Sequence, residues 1–139
     1  MPTGILVLTD CALTLGGTAL ATKASKLEIP VEVDELDVTV FGGQWKKRTG
    51  GLLDGKVNAA FFNDYAGGDL DELTWNWLLG RVPIAFTVKP TTAAIGPTNP
   101  QWSGLVLPKA YSPINGDVGS VNKFDISWPT SGAILRAVA

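Results

Sequence analysis

Apolar residues recur every second position over most of the chain. Leu27, Ile29, Val31 and Val33 alternate with Lys26, Glu28, Pro30 and Glu32, the period of a sheet with one wet face. Pro30 has no N–H to give a ladder, so it marks an edge or a bulge. Leu36, Val38 and Val40 carry the alternation on against Asp37 and Thr39, and the acidic pair Asp34-Glu35 between the two runs predicts a kink. Upstream, Cys11 to Leu15 and Thr18 to Ala21 flank Gly16-Gly17, a two-residue connection suited to a primed hairpin turn because glycine reaches positive φ without strain. Val57, Ala59 and Phe61 alternate with Asn58, Ala60 and Phe62, so this strand turns apolar on both faces and both need cover. Val82, Ile84, Phe86 and Val88 predict a further strand, with Pro83 at an edge or a strand start. Trp102 to Leu107 and Val121 to Trp128 predict two more, the latter with Phe124, Ile126 and Trp128 on one face. The apolar tail from Ala133 to Ala139 adds an edge strand. Pro90 to Pro100 and Tyr111 to Gly119 are connections by composition, and no internal repeat is present.

Two segments depart from this pattern. Leu70, Leu73, Trp77 and Leu78 recur at helical spacing, with Trp75 and Asn76 off the centre of the stripe. Asp69 reads as an N-cap, Glu72 three residues on completes a capping box, and Gly80 supplies the stop, which predicts one helix over about residues 70–79. The other segment, Phe41 to Gly55, is rich in glycine yet carries two large aromatics, and predicts a long loop. An indole at a loop tip needs something to receive it. Trp45 either contacts a neighbouring subunit or folds back to cap its own core.

The length fits one domain over residues 1–139, which should bury roughly 70% of its unfolded surface. Hydrophobic residues make up 45% of the chain and charged residues only 17%, a thin charged surface for a monomer, so part of the apolar excess is expected to face another subunit. A formal charge of −2 lacks the basic footprint of a protein that grips nucleic acid. Lys46-Lys47-Arg48 is the one basic run; it is either simply solvated or pairs with acids on a neighbour. Cys11 is alone, which rules out an internal disulfide or a CxxC metal site. No positive charge precedes Ile5-Leu6-Val7-Leu8, and Asp10 soon interrupts the apolar run, so a secretory signal is not expected; nor is any segment apolar for long enough to span a membrane as a helix.

Histidine is absent, which removes the commonest general base and metal ligand. The carboxylates Asp69, Asp71 and Glu72 are explained by capping, and Asp34, Glu35 and Asp37 by a solvated strand face, against a glycosidase-type acid pair. Asn115-Gly116-Asp117 lacks the further acids of a calcium loop, and no glycine motif is placed to cradle phosphate. No catalytic, cofactor or metal site is therefore expected. Five tryptophans raise a carbohydrate-binding module as a competitor, although Trp77 and Trp128 fall on core faces and leave Trp45, Trp75 and Trp102 to make any platform.

A Phe41-Gly42-Gly43-Gln44-Trp45 loop is followed by Gly51-Leu52-Leu53-Asp54-Gly55-Lys56-Val57 and Phe62-Asn63-Asp64-Tyr65-Ala66. After the helix, with Trp77-Leu78-Leu79-Gly80, come Val88-Lys89-Pro90-Thr91, Thr98-Asn99-Pro100, Tyr111-Ser112-Pro113 and Asp125-Ile126-Ser127-Trp128-Pro129. Over roughly residues 36–132 this order resembles the major tail tube proteins of long, non-contractile-tailed bacteriophages, through turn and packing signatures rather than a chemical motif. The resemblance implies a mainly β fold, a β-sandwich or half-barrel with one flanking helix, whose strands join a ring-shaped oligomeric barrel. It implies hexameric rings stacked into a tube in the virion, built from subunits made in the host cytoplasm. A tape measure protein would lie inside, terminator and distal tail proteins at the ends, and DNA would pass through without specific binding. By position, the loop over residues 41–55 matches the family's arm to an adjacent ring, making Phe41, Trp45, Lys46, Lys47 and Arg48 the expected interface. Glu28, Glu32 and Asp34 would form an acidic lumen face that lets DNA slide. A head-to-tail joining or tail terminator ring of similar fold is the alternative.

Overall fold

The computed structural model describes residues 6–139; the expectation about a secretory signal rests partly on Ile5, outside that range. The elements are β1 (Ala12–Leu15), β2 (Thr18–Ala19), a 3-10 turn (Ala21–Lys23), β3 (Ala24–Glu28), β4 (Val31–Asp37), β5 (Arg48–Phe62), α1 (Leu70–Gly80), β6 (Ile84–Lys89), β7 (Gln101–Val106), β8 (Lys123–Pro129) and β9 (Leu135–Ala137). One sheet has the order β2-β1-β6-β7-β9; the other is built on β5, which pairs with β3, β4 and β8. Every pairing is antiparallel. Among the described residues the architecture is thus mainly β, two sheets and one helix, without closure into a barrel.

Alternation delivers one apolar face from each sheet to a shared core. Leu13, Leu15, Phe86, Val88 and Val106 meet Val57, Ala59, Phe61, Phe124, Ile126 and Trp128, all buried. Phe124 is held edge-on by Tyr111, their ring centroids 4.8 Å apart, and the buried Trp128 indole N–H donates to the Ala110 carbonyl at 3.0 Å, which satisfies its polar end. The sheets are stitched at one corner, where Leu107 N–H donates to Pro129 O and Ser131 N–H to Leu105 O.

The opening hairpin turns through Gly16 and Gly17, at φ +58° and +86°. A side chain at Gly16 would also strike the Trp77 indole, 2.9 Å from an added Cβ, so the turn doubles as the seat of the helix. The helix starts where expected, with the Asp69 carboxylate accepting from Leu70 N–H at 2.7 Å. The rest of the capping box and the stop each shift by one residue. Glu72 accepts from Gly68 N–H at 2.5 Å, since Asp69 N–H is already spent on the Ala66 carbonyl. The left-handed stop is Arg81 at φ 58°, and Gly80 remains inside the helix. Lys23 ties this region to the 3-10 turn between the two sheets through Asp64 at 2.8 Å and Asp69 at 3.1 Å.

Candidate assembly surface: a projecting hairpin arm

The segment expected to be a loop over residues 41–55 is largely strand. β5 begins at Arg48, and residues 48–55 pair with β4. The glycines that suggested a loop serve close approach instead. A Cβ on Gly50 would lie 3.2 Å from a Val33 methyl, and one on Gly51 would lie 3.1 Å from Leu36. The register shifts there, between Val33 and Glu35, where the sequence predicts a kink; the extra residue is on β5, opposite Asp34, and β4 itself runs on unbroken. On the body side of the shift, pairing runs in one register from Lys26↔Ala60 to Val33↔Leu53, so β3 and β4 form a single line interrupted at Pro30. Lys56 N–H still reaches the Pro30 carbonyl at 3.1 Å.

Beyond Gly55 this two-stranded ribbon leaves the body, because β8 pairs with β5 only from Lys56 onward. All seven residues of β4 are exposed. Val31 and Val33 share a face with Gly55, whose Cβ direction points at Ile134, so their face is the one continuous with the core. Leu36 faces the other way, beside Asp34. Leu52 and Leu53 are likewise bare, at 79% and 76% exposure. These aliphatics were not singled out from sequence as interface residues. The switch of the apolar run from odd positions, ending at Val33, to even ones, starting at Leu36, was the signal.

The tip is a defined turn. Val38 N–H donates to Lys47 O at 2.8 Å, Lys47 N–H to the Thr39 hydroxyl at 2.9 Å, and Thr39 N–H to the Asp37 carboxylate at 2.9 Å. Those Thr39 hydrogen bonds hold the Asp37 carboxyl below its ordinary pKa. Arg48 pairs with Glu35 across the ribbon. Phe41 and Trp45 project at the tip, 107% and 87% exposed, so Trp45 does not cap its own core. Lys46 and Lys47 are exposed beside it and make no ion pair among the described residues.

The three acids expected on a lumen face do lie together. Cross-strand pairing puts Glu28 with Asn58 and Glu32 with Asp54, on the face away from the core, and Asp34 follows on the same side. Asp125 on β8 joins them, but so do Lys26, Lys56 and Lys123, which offset part of the charge. Lys26 lies 3.9 Å from Glu28. The tryptophans left for a sugar platform stand apart: Trp45 at the arm tip, Trp75 on α1 and Trp102 on β7, under Arg136 at 5.8 Å. No cluster of three metal-ligating side chains occurs among the described residues, and no described helix is long and apolar enough to cross a membrane.

What these features define is a two-sheet, mainly β sandwich with one flanking helix and a bare hairpin arm. A chain in the virion of a native gene transfer agent particle has the same fold, with a TM-score of 0.71 over 92% of this chain and 95% of that one, at 16% identity. A chain in the tail of an empty gene transfer agent particle with C6 symmetry matches at 0.66, over 83% and 82%, at 17% identity. No protein-family model matches the sequence, and no curated protein does. At such identities the likeness is one of fold.

Proposed function

We propose that the chain is a structural, non-enzymatic tail tube subunit, which assembles into six-fold rings that stack into the conduit for DNA. The observation that carries this reading is the arm. A two-stranded ribbon is marginal in water by itself, and this one carries bare valines, leucines and two aromatics with free backbone edges. A ring of copies would pair those edges and cover those side chains. The fold shared with a chain of a C6-symmetric tail supports the same conclusion. Phe41, Trp45, Lys46, Lys47 and Arg48 serve in this scheme as the arm's contact to another subunit. Glu28, Glu32 and Asp34 belong to the face turned to the lumen, where carboxylates repel phosphate and favour sliding over binding. A tape measure protein within and terminator proteins at the ends are the partners implied.

Negative-stain imaging of the concentrated protein tests this directly. Hollow cylinders with six-fold end views are expected. Isolated rings that never stack would favour the joining or terminator alternative, and lone particles at every concentration would refute self-assembly.

A further inference from the structure

We infer that the aromatic tip of the arm, Trp45 with Phe41, seats in the mouth of the sandwich of a second copy of the chain. This rests on the self-assembly reading above and supplies the receptor that reading lacks. Where the sheets part, a hollow of about 350 Å³ opens between Val88 and Trp102 on one side and Leu27, Ile29 and Val31 on the other, with Cys11 in its wall. Leu27 and Ile29 already pack against the core, so among the described residues the hollow is an unfilled end of that core. Lining atoms with no partner on one side forfeit dispersion contacts that a large flat side chain would restore.

The chain cannot fill the hollow with its own tip. Val31, at the root of the arm, lines it, and the strand from there to Asp37 carries the tip roughly 20 Å away at about 3.3 Å per residue. Pairing of Asp37 with Arg48 and the turn hydrogen bonds hold the ribbon extended. Charge favours the same match. Lys46 and Lys47 follow Trp45 without ion partners among the described residues, while Asp10 lines an adjoining hollow of about 500 Å³ and has none there either. An incoming indole N–H would find acceptors as well, because among the described residues β3 pairs with β5 alone and its other edge keeps free carbonyls.

The single native thiol makes the test. Gln44→Cys places a second thiol beside Trp45 at an exposed site, and chains of two isotopic compositions are mixed, concentrated and cross-linked by oxidation. A disulfide requires Cα atoms within about 7 Å, so a short bis-maleimide is used in parallel to cover looser seating. Burial, and then Asp10, push the Cys11 thiol up, so both reactions run at mildly alkaline pH. The expected product joins the introduced thiol of one isotopic chain to Cys11 of the other and disappears in the Gln44→Cys/Cys11→Ser variant. Assemblies that form without this product overturn the receptor and leave the tube reading standing. A product confined to one chain overturns the exchange between copies, and failure of any assembly at high concentration overturns the underlying reading together with this one.

Discussion

Replacing Trp45 by alanine separates assembly from folding, and the structure sets the size of the effect. The indole is 87% exposed. An aromatic side chain buries roughly 150–250 Å² when covered, so docking Trp45 removes about 170 Å² of mostly apolar surface from water, worth about 4 kcal/mol at 25 cal/mol per Å². Freezing the side chain takes back roughly 1 kcal/mol. About 3 kcal/mol per contact remains, and with every 1.4 kcal/mol a factor of ten, the critical concentration for polymerisation should rise about 100-fold. Folding should be indifferent, because truncating a bare surface residue shifts subunit stability by no more than about 0.5 kcal/mol. A dilution series followed by light scattering and pelleting gives the critical concentration, and denaturant melts of dilute subunits give stability. An unchanged critical concentration with an intact subunit would refute the arm as the driver of assembly; a strongly destabilised subunit would show that the indole is not bare.

Other perturbations probe the body of the fold. Asp69→Ala removes the helix cap and one partner of Lys23 and should cost about 1 kcal/mol from the cap alone, read as a lowered denaturant midpoint. Gly17→Ala should cost roughly 1–2 kcal/mol through left-handed strain alone, since nothing lies near its Cβ direction, whereas Gly16→Ala adds about 1–3 kcal/mol by striking Trp77; equal losses at both would show that the helix is not seated on the turn. Burial, followed by its hydrogen bond to Asp71 at 2.5 Å, pushes the Tyr111 phenol up to about 12 from its ordinary 10. Its folded pKa is raised, so its contribution is complete below pH 10 and is lost as pH rises toward 12. Comparing melts of the native protein and Tyr111→Phe across that range should show the extra alkaline loss only in the native chain.

The helix and most strands were legible because each rests on a local rule. Asp69 and the Leu70-Leu73-Trp77-Leu78 spacing define α1, and alternation at Phe124, Ile126 and Trp128 defines the inner face of β8. Boundaries slipped where a non-local contact decided them. Gly50 and Gly51 read as loop residues because a sequence does not show Val33 and Leu36 packed across the ribbon, where a Cβ would crowd both. Arg81 took the left-handed position that Gly80 was expected to fill, and no local signal marked the exchange. The part of the arm built by β4 was hidden for a different reason. Val31 and Val33 alternate with acids as any half-buried strand does, and periodicity does not say whether the apolar face meets its own core or another molecule. The hollow between Leu27 and Trp102 brings together distant strands, so nothing near either residue announced it.

The distribution of apolar residues along the arm bears on how it must be covered. Near the body, Val31 and Val33 lie on the face continuous with the core; past the register shift, Leu36 lies on the opposite face, while Glu35 and Arg48 pair on the first. A single partner pressed against one side would cover the root and meet an ion pair near the tip, leaving Leu36 in water. Leu36 stands beside Asp34, on the face proposed above for the lumen, so covering it takes a second contact near the tip, past the acids. In the proposed ring a preceding and a following copy would pair the two edges of each ribbon, so a contact with either face would fall to an adjacent ring. The change of face lies in the sequence of β4 itself, from Val33 to Leu36; the extra residue that shifts the register is on β5, opposite Asp34. Gly50 and Gly51 lie at that extra residue, which is where a strand that otherwise disfavours glycine admits it.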